Sequence, residues 1–366
     1  MKAPLKVPLI DLPAQARPLR AAILRDWAKA LDTGAFIGGP QVLAFEAEAA
    51  KFLKVKHAIA CNSGTDALFI LLRALGIGPG DEVIVPAFSF FATAEAVSIT
   101  GAKPVFCDIR RDDFLIDLKL VAKAVTPRTK AVIPVHLYGL PMDLGPLKKL
   151  LAGKKIAIVE DACQSFGAPN LGGLGDGAAF SFYPTKNLNA AGDAGLMVTQ
   201  SDAVAGLARQ LREHGSPKRY VHDYVGYNSR MDALQAIVLR HKLPKLKAWT
   251  AARKKAAKAY LSAFKGLPLG LPPASKESVW HQFTIRVKED RREALKAHLE
   301  ELGIASAVFY PGPMHRQRPY ADHWKSPEAE LAAREVLCLP IFPEMSAAQL
   351  KAVIQGVKSF YARTRA

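Results

Sequence analysis

From about residue 12 to about residue 245, short β-rich runs alternate with helical patterns. No other feature constrains the fold more. The β-rich runs fall at residues 57–60, 82–85, 103–107, 131–135 and 155–159. Helical periodicity appears at 41–52 and at 66–75, the latter closed by Gly76 and Gly78. Gly34, Gly38, Gly39 and Pro40 break an earlier helical stretch. Strand–helix alternation of this kind predicts an α/β fold, a mostly parallel sheet covered by helices on both faces. In such sheets ligands sit beyond the carboxyl ends of the strands, so the residues just after each strand are the first candidates for a site.

Past about residue 246 the pattern changes. A basic helical run leads to a Pro/Gly-rich break (GLPLGLPPAS), then a strand at 280–287 and a helix at 291–302. A short strand at 307–309 and a last helix at 347–363 complete it. The expected organisation is a large domain over 1–245, N-terminal arm included, and a smaller α+β domain over 246–366.

The formal charge of +17 raises the question of a polyanionic partner. Its densest run is HKLPKLKAWTAARKKAAKAY, with Lys242, Lys245, Lys247, Arg253, Lys254, Lys255 and Lys258 and no acid. Alanines fill most other positions and aromatics are few, so no base-stacking ladder is visible. The run reads as a solvated helix face; steering of phosphorylated substrates ranks second and nucleic acid behind that. The four cysteines are scattered, without a C-x-x-C pair or histidines at ligand spacing. That argues against a metal site or disulfide framework and points to a reducing cytosol. The most apolar segment, 83–97, is interrupted by Glu95, and the first residues make a poor signal peptide, so no membrane span or export is expected.

Three strand-end pieces carry chemistry. CNSGTDAL places Ser63, Gly64 and Thr65 where a strand turns into a helix, a natural phosphate site; helix capping explains the same residues equally simply. EDACQS places Asp161 at a strand end with Gln164 a short turn on, where a buried carboxylate would need a cationic partner. AAFSFYPTKNLNAAGDAG holds Lys186 in apolar and aromatic surroundings, and a desolvated lysine is neutral and nucleophilic near neutral pH. In this order the pieces supply a phosphate cup, an acid for a ring nitrogen and an imine-forming amine, the groups that pyridoxal 5′-phosphate requires.

The ordered stretches NSGTDAL, GPGDEVIVPAFSFFATAEAV, VHLYG, EDACQSFGA, SFYPTKNL and GYNSRMDALQA resemble the DegT/DnrJ/StrS family of sugar-nucleotide aminotransferases, of the fold-type I class, over nearly the whole chain. The resemblance implies roles. Lys186 would hold the cofactor as a Schiff base, Asp161 would pair with the pyridine nitrogen, and Gln164 would bond the phenolic oxygen. Phe90 would stack on the ring; Gly64, Thr65 and Ser181 would hold the phosphate. Asn228 would reach the phosphate bound by a neighbouring subunit, making the active unit a homodimer. Arg230 would bind an anionic part of the substrate or form a surface ion pair. Of the histidines in family-like stretches, His136 and His281 read as core residues, and His315 reads as lining the substrate cleft. The implied reaction moves an amino group from L-glutamate to a keto sugar nucleotide.

Three departures touch loops near the cleft: a short APNLGGLGDGAAFSF segment, GDAG in place of GDGG after the lysine, and a glycine after Pro311. The Lys-Asn-Leu sequence resembles the branch that aminates carbon 3 rather than carbon 4. Dehydration chemistry on the same fold is disfavoured, because the resembling dehydratases carry histidine at the lysine position. A basic regulatory or nucleic-acid-binding protein is the non-enzymatic alternative.

Overall fold

The computed structural model describes residues 6–321 and 324–363. Seven strands form the larger sheet: β1 (His57–Cys61), β2 (Glu82–Pro86), β3 (Lys103–Cys107), β4 (Thr129–Val132), β5 (Ala157–Asp161), β6 (Gly177–Ser181) and β7 (Gly195–Thr199). Their order is β1-β7-β6-β5-β4-β2-β3. Every pairing from β6 to β3 is parallel, whereas β7 runs antiparallel to both β6 and β1. The strands are buried on both faces, and successive residues point opposite ways. Ile59 and Met197 enter one core; Ala58, Ala60, Leu196 and Val198 enter the other. All five expected strands are present, with ends shifted by two residues or fewer except that β4 stops at Val132. Beyond it, Val135 makes only an isolated bridge to Asp161.

A second, antiparallel sheet contains β8 (Leu269–Gly270), β9 (Phe283–Val287) and β10 (Val336–Leu339), in the order β10-β9-β8. Helices Arg292–Glu301 and Ala347–Arg363 pack with it around Phe283, Ile285, Leu295, Leu299, Leu337 and Val357. Val7, in the arm expected with the large domain, lies in this second core. The expected strand at 307–309 is not formed; Ala307 makes a single bridge to Cys338.

Helix Leu246–Phe264 joins the two units. Its first residue packs in the large core, while Tyr260 and Phe264 pack in the small one. This corrects the reading of the basic run as wholly solvated. Lys242 is buried, with Nζ donating to the Asn189 carbonyl at 3.0 Å. Arg253 is also buried, donating to the Ile341 carbonyl at 2.6 Å. A helix that bridges two cores has no single wet face, so an alanine-rich run of cations does not reveal which of them turn inward.

Candidate active site

The carboxyl ends of β5 and β6 and the turn after β1 meet around a cavity of about 440 Å³. Seven expected residues line it: Gly64, Thr65, Phe90, Asp161, Gln164, Ser181 and Lys186.

Asp161 is the last residue of β5 and is buried. Its Oδ2 accepts from the Thr93 hydroxyl at 2.7 Å, and its Oδ1 accepts from the Cys163 backbone N–H at 3.2 Å. Thr93 is itself hydrogen-bonded to Ser89 at 2.9 Å. Among the described residues no ion pair forms on this carboxylate, and a buried carboxylate in such a place calls for a cationic partner.

Lys186 sits on a turn in which its N–H donates to the Tyr183 carbonyl at 2.8 Å. Burial pushes the pKa of its ammonium down from the usual lysine range, against the opposing pull of Cys163 and Asp161. Burial thus disfavours the charged form of the amine.

The helix Gly64–Ala74 starts at the cavity, capped by Ser63, whose hydroxyl oxygen accepts from the Asp66 N–H at 3.1 Å. That leaves the first-turn N–H groups of Gly64 and Thr65 facing the cavity beside Ser181, a cradle suited to an anion. The cradle is tight. A methyl group at Gly64 would meet Ser181 Cβ at 2.6 Å and Cys163 Sγ at 2.9 Å. Gly195 is equally constrained, since a Cβ there would lie 2.1 Å from the Ser63 carbonyl oxygen.

Gln164 is oriented from both ends. Its Oε1 accepts from the Tyr138 N–H at 2.8 Å and its Nε2 donates to the Tyr310 hydroxyl at 3.2 Å. Phe90 is half exposed at the rim, with its ring centroid 5.8 Å from that of Tyr310.

Three expected residues lie elsewhere. Asn228 and Arg230 are held to each other at 2.9 Å, and Arg230 pairs with Glu213 at 2.9 Å, outside the cavity lining. His315 does not line the cleft: it is fully buried against Phe106, with Nε2 3.2 Å from Glu330. Its neighbour Met314 packs in the large core and donates its N–H to the Ala87 carbonyl at 2.8 Å, which draws this turn inward. His136 is a satisfied core histidine, with Nε2 3.0 Å from Glu160 and Nδ1 accepting from the Met142 N–H. His281, read from the sequence as core, does line the cavity. Tyr310 and Thr93 were missed. Tyr310 opens the segment YPGPMHRQ, in which His315 is the more conspicuous candidate, and Thr93 lies a helical turn beyond Phe90, a spacing that gives no signal of contact with Asp161.

A model of the DegT/DnrJ/EryC1/StrS aminotransferase family matches residues 18–358. The chain belongs to this family. A relative from Acidithiobacillus ferrooxidans, UDP-N-acetyl-3-dehydro-alpha-D-glucosamine 3-aminotransferase, is 46% identical over 96% of this chain and 97% of its own. Another, from Geobacillus stearothermophilus, is 42% identical over 98% of this chain and 99% of its own and bears the name pleiotropic regulatory protein. The crystal structure of NtdA from Bacillus subtilis, with its cofactor PMP bound, superposes with a TM-score of 0.94 at 33% identity, over 98% of this chain and 85% of that one. The family's aminotransferase fold, here a large, mostly parallel sheet with helices, is thus the fold of this chain.

Proposed function

We propose that the chain holds pyridoxal 5′-phosphate in this cavity and transfers an amino group from L-glutamate to carbon 3 of a nucleotide-linked keto hexose. The observation that carries the reading is that a desolvated Lys186 and a buried Asp161 line one cavity that opens on a helix N-terminus. These residues fit the cofactor by charge: an amine for its aldehyde, a carboxylate for its ring nitrogen, N–H groups and a hydroxyl for its phosphate. When bound, pyridoxal phosphate supplies a carbonyl that takes up the amino group and a cationic ring that delocalises the electron pair left at the donor's α-carbon.

The chain's own residues do the rest. Lys186, whose charged form burial disfavours, is the nucleophile and afterwards the base that moves the α-proton. Asp161, steadied by Thr93 and the Cys163 N–H, holds a proton on the ring nitrogen. Gln164, clamped by Tyr138 and Tyr310, presents its amide to the phenolic oxygen. The N–H groups of Gly64 and Thr65 and the hydroxyl of Ser181 anchor the phosphate, and Phe90 covers the ring. Asn228 and Arg230, outside the cavity, serve a second copy's site or its sugar in a homodimer. Four free cysteines and no helix among the described residues long and apolar enough to cross a membrane suit a cytoplasmic enzyme.

The reading is tested by incubating the protein with glutamate and a panel of 3-keto and 4-keto UDP- and dTDP-sugars and identifying the aminated product by mass spectrometry. Amination of a 3-keto substrate is expected; exclusive amination of 4-keto sugars would move the reaction to carbon 4. The regulatory name of one relative and the +17 charge favour a second reading, a nucleic-acid-binding regulator. Steeply salt-dependent DNA binding without any turnover would support it.

A further inference from the structure

His281 is one of the cavity side chains to which the proposed reaction gives no task. Its backbone is clamped. The neighbouring Val279 N–H donates to the Gly139 carbonyl at 2.9 Å and the Gln282 N–H to the Tyr138 carbonyl at 3.2 Å. The fit is close enough that a methyl group on Gly139 would lie 2.6 Å from the His281 backbone nitrogen. The ring is clamped too. Its Nδ1 lies 3.0 Å from the Oδ1 of Asn187, the residue after Lys186.

Asn187 decides the tautomer. Its Nδ2 donates to the Val279 carbonyl at 3.0 Å, so the amide oxygen must be the atom that faces the ring. The hydrogen therefore sits on Nδ1, and Nε2 carries a bare lone pair. Among the described residues Nε2 has no hydrogen-bond partner, and the side chain borders the cavity. Burial, with Lys186 and Arg253 nearby, pushes the imidazole well below the usual histidine range and so disfavours a second proton at that nitrogen. A fixed acceptor beside the reactive lysine awaits a donor from whatever enters.

We infer that His281 is a specificity residue whose Nε2 accepts a hydrogen bond from a sugar hydroxyl next to the carbon that receives the amino group. The inference rests on the proposed function. On a 3-keto-N-acetylglucosamine the neighbouring carbons carry an acetamido group at carbon 2 and a hydroxyl at carbon 4, so the hydroxyl is the one at carbon 4. The link through Asn187 sets this acceptor and Lys186 in one register, so a sugar held by His281 presents its carbonyl carbon near the amine.

The test measures the glutamate and sugar half-reactions separately, by cofactor absorbance in single turnovers, for the wild type, His281→Phe and His281→Gln. The probes are UDP-N-acetyl-3-keto-glucosamine and its 4-deoxy analogue. Loss of one buried hydrogen bond predicts about a 10-fold fall in the sugar half-reaction for His281→Phe. The glutamate half-reaction should change little, and His281→Gln, which retains an acceptor oxygen, should recover part of the loss. The wild type should lose a similar factor on the 4-deoxy sugar, and His281→Phe should no longer distinguish the two sugars. The wild-type comparison stands even if His281→Phe does not fold. Equal losses in both half-reactions, or no preference of the wild type for the hydroxylated sugar, would overturn the assignment. A wild type that completes the glutamate half-reaction and aminates no sugar overturns the parent reading, and this one with it.

Discussion

The Thr93 hydroxyl on Asp161 is the residue-scale contact most exposed to test. A hydrogen bond to a buried carboxylate is worth about 1.5–3 kcal/mol, so Thr93→Val should lower kcat/KM roughly 10- to 100-fold, while Thr93→Ser should stay near wild type. Steady-state kinetics of the three proteins decides; an unchanged Thr93→Val would mean that the Cys163 N–H alone suffices. Residue identity was the most legible layer of the sequence. Lys186, Asp161, Gln164 and the Ser63–Thr65 turn stand at strand ends, where chemistry concentrates, and the structure brings them to one cavity. His136 was legible as a core histidine, whereas His315 and His281 were not. Whether a ring faces a cavity or a core depends on packing by distant segments, Glu330 for His315 and Asn187 for His281, and no local pattern encodes either.

At the scale of elements, the turn from β1 into helix Gly64–Ala74 has no room to vary. Gly64→Ala must push Ser181 or Cys163 aside, and since both border the cradle the expected loss is cofactor retention. Dialysis followed by absorbance of the bound cofactor measures it; a variant that retains cofactor as well as wild type would contradict the cradle. β6 and β7 went unread because GAAFS and GLMVT each open on glycine and emerge from glycine-rich loops that hide where the strand starts. Their pairing is long-range: β7 inserts antiparallel between β1 and β6, a contact set by the sheet as a whole and not by the run itself.

At the scale of the molecule, buried cations in the joining helices tie stability to pH. Burial lowers the pKa of Lys242 from its ordinary 10.5 to about 8. Between those values the folded chain binds fewer protons than the unfolded one, so folding gains stability as pH rises through the window; below about pH 8 the cost of burial is fully present. Denaturant unfolding at pH 8 and pH 10 should therefore show wild type gaining on Lys242→Met by up to about 1.4 kcal/mol per pH unit. A constant difference would mean the side chain stays charged and solvated. Assembly makes a separate prediction. If Asn228 serves the partner's site, mixing Lys186→Ala with Asn228→Ala under subunit exchange should give more activity than either variant alone, because one site in each mixed dimer regains both groups. Activity no greater than the sum of the parts would argue for self-contained sites.

The most direct measurement of the central claim is borohydride reduction of the cofactor-loaded protein, followed by peptide mass mapping. The account predicts a single phosphopyridoxyl adduct on Lys186, none in Lys186→Ala, and no turnover by that variant. An adduct on another lysine, or full activity in Lys186→Ala, would contradict it.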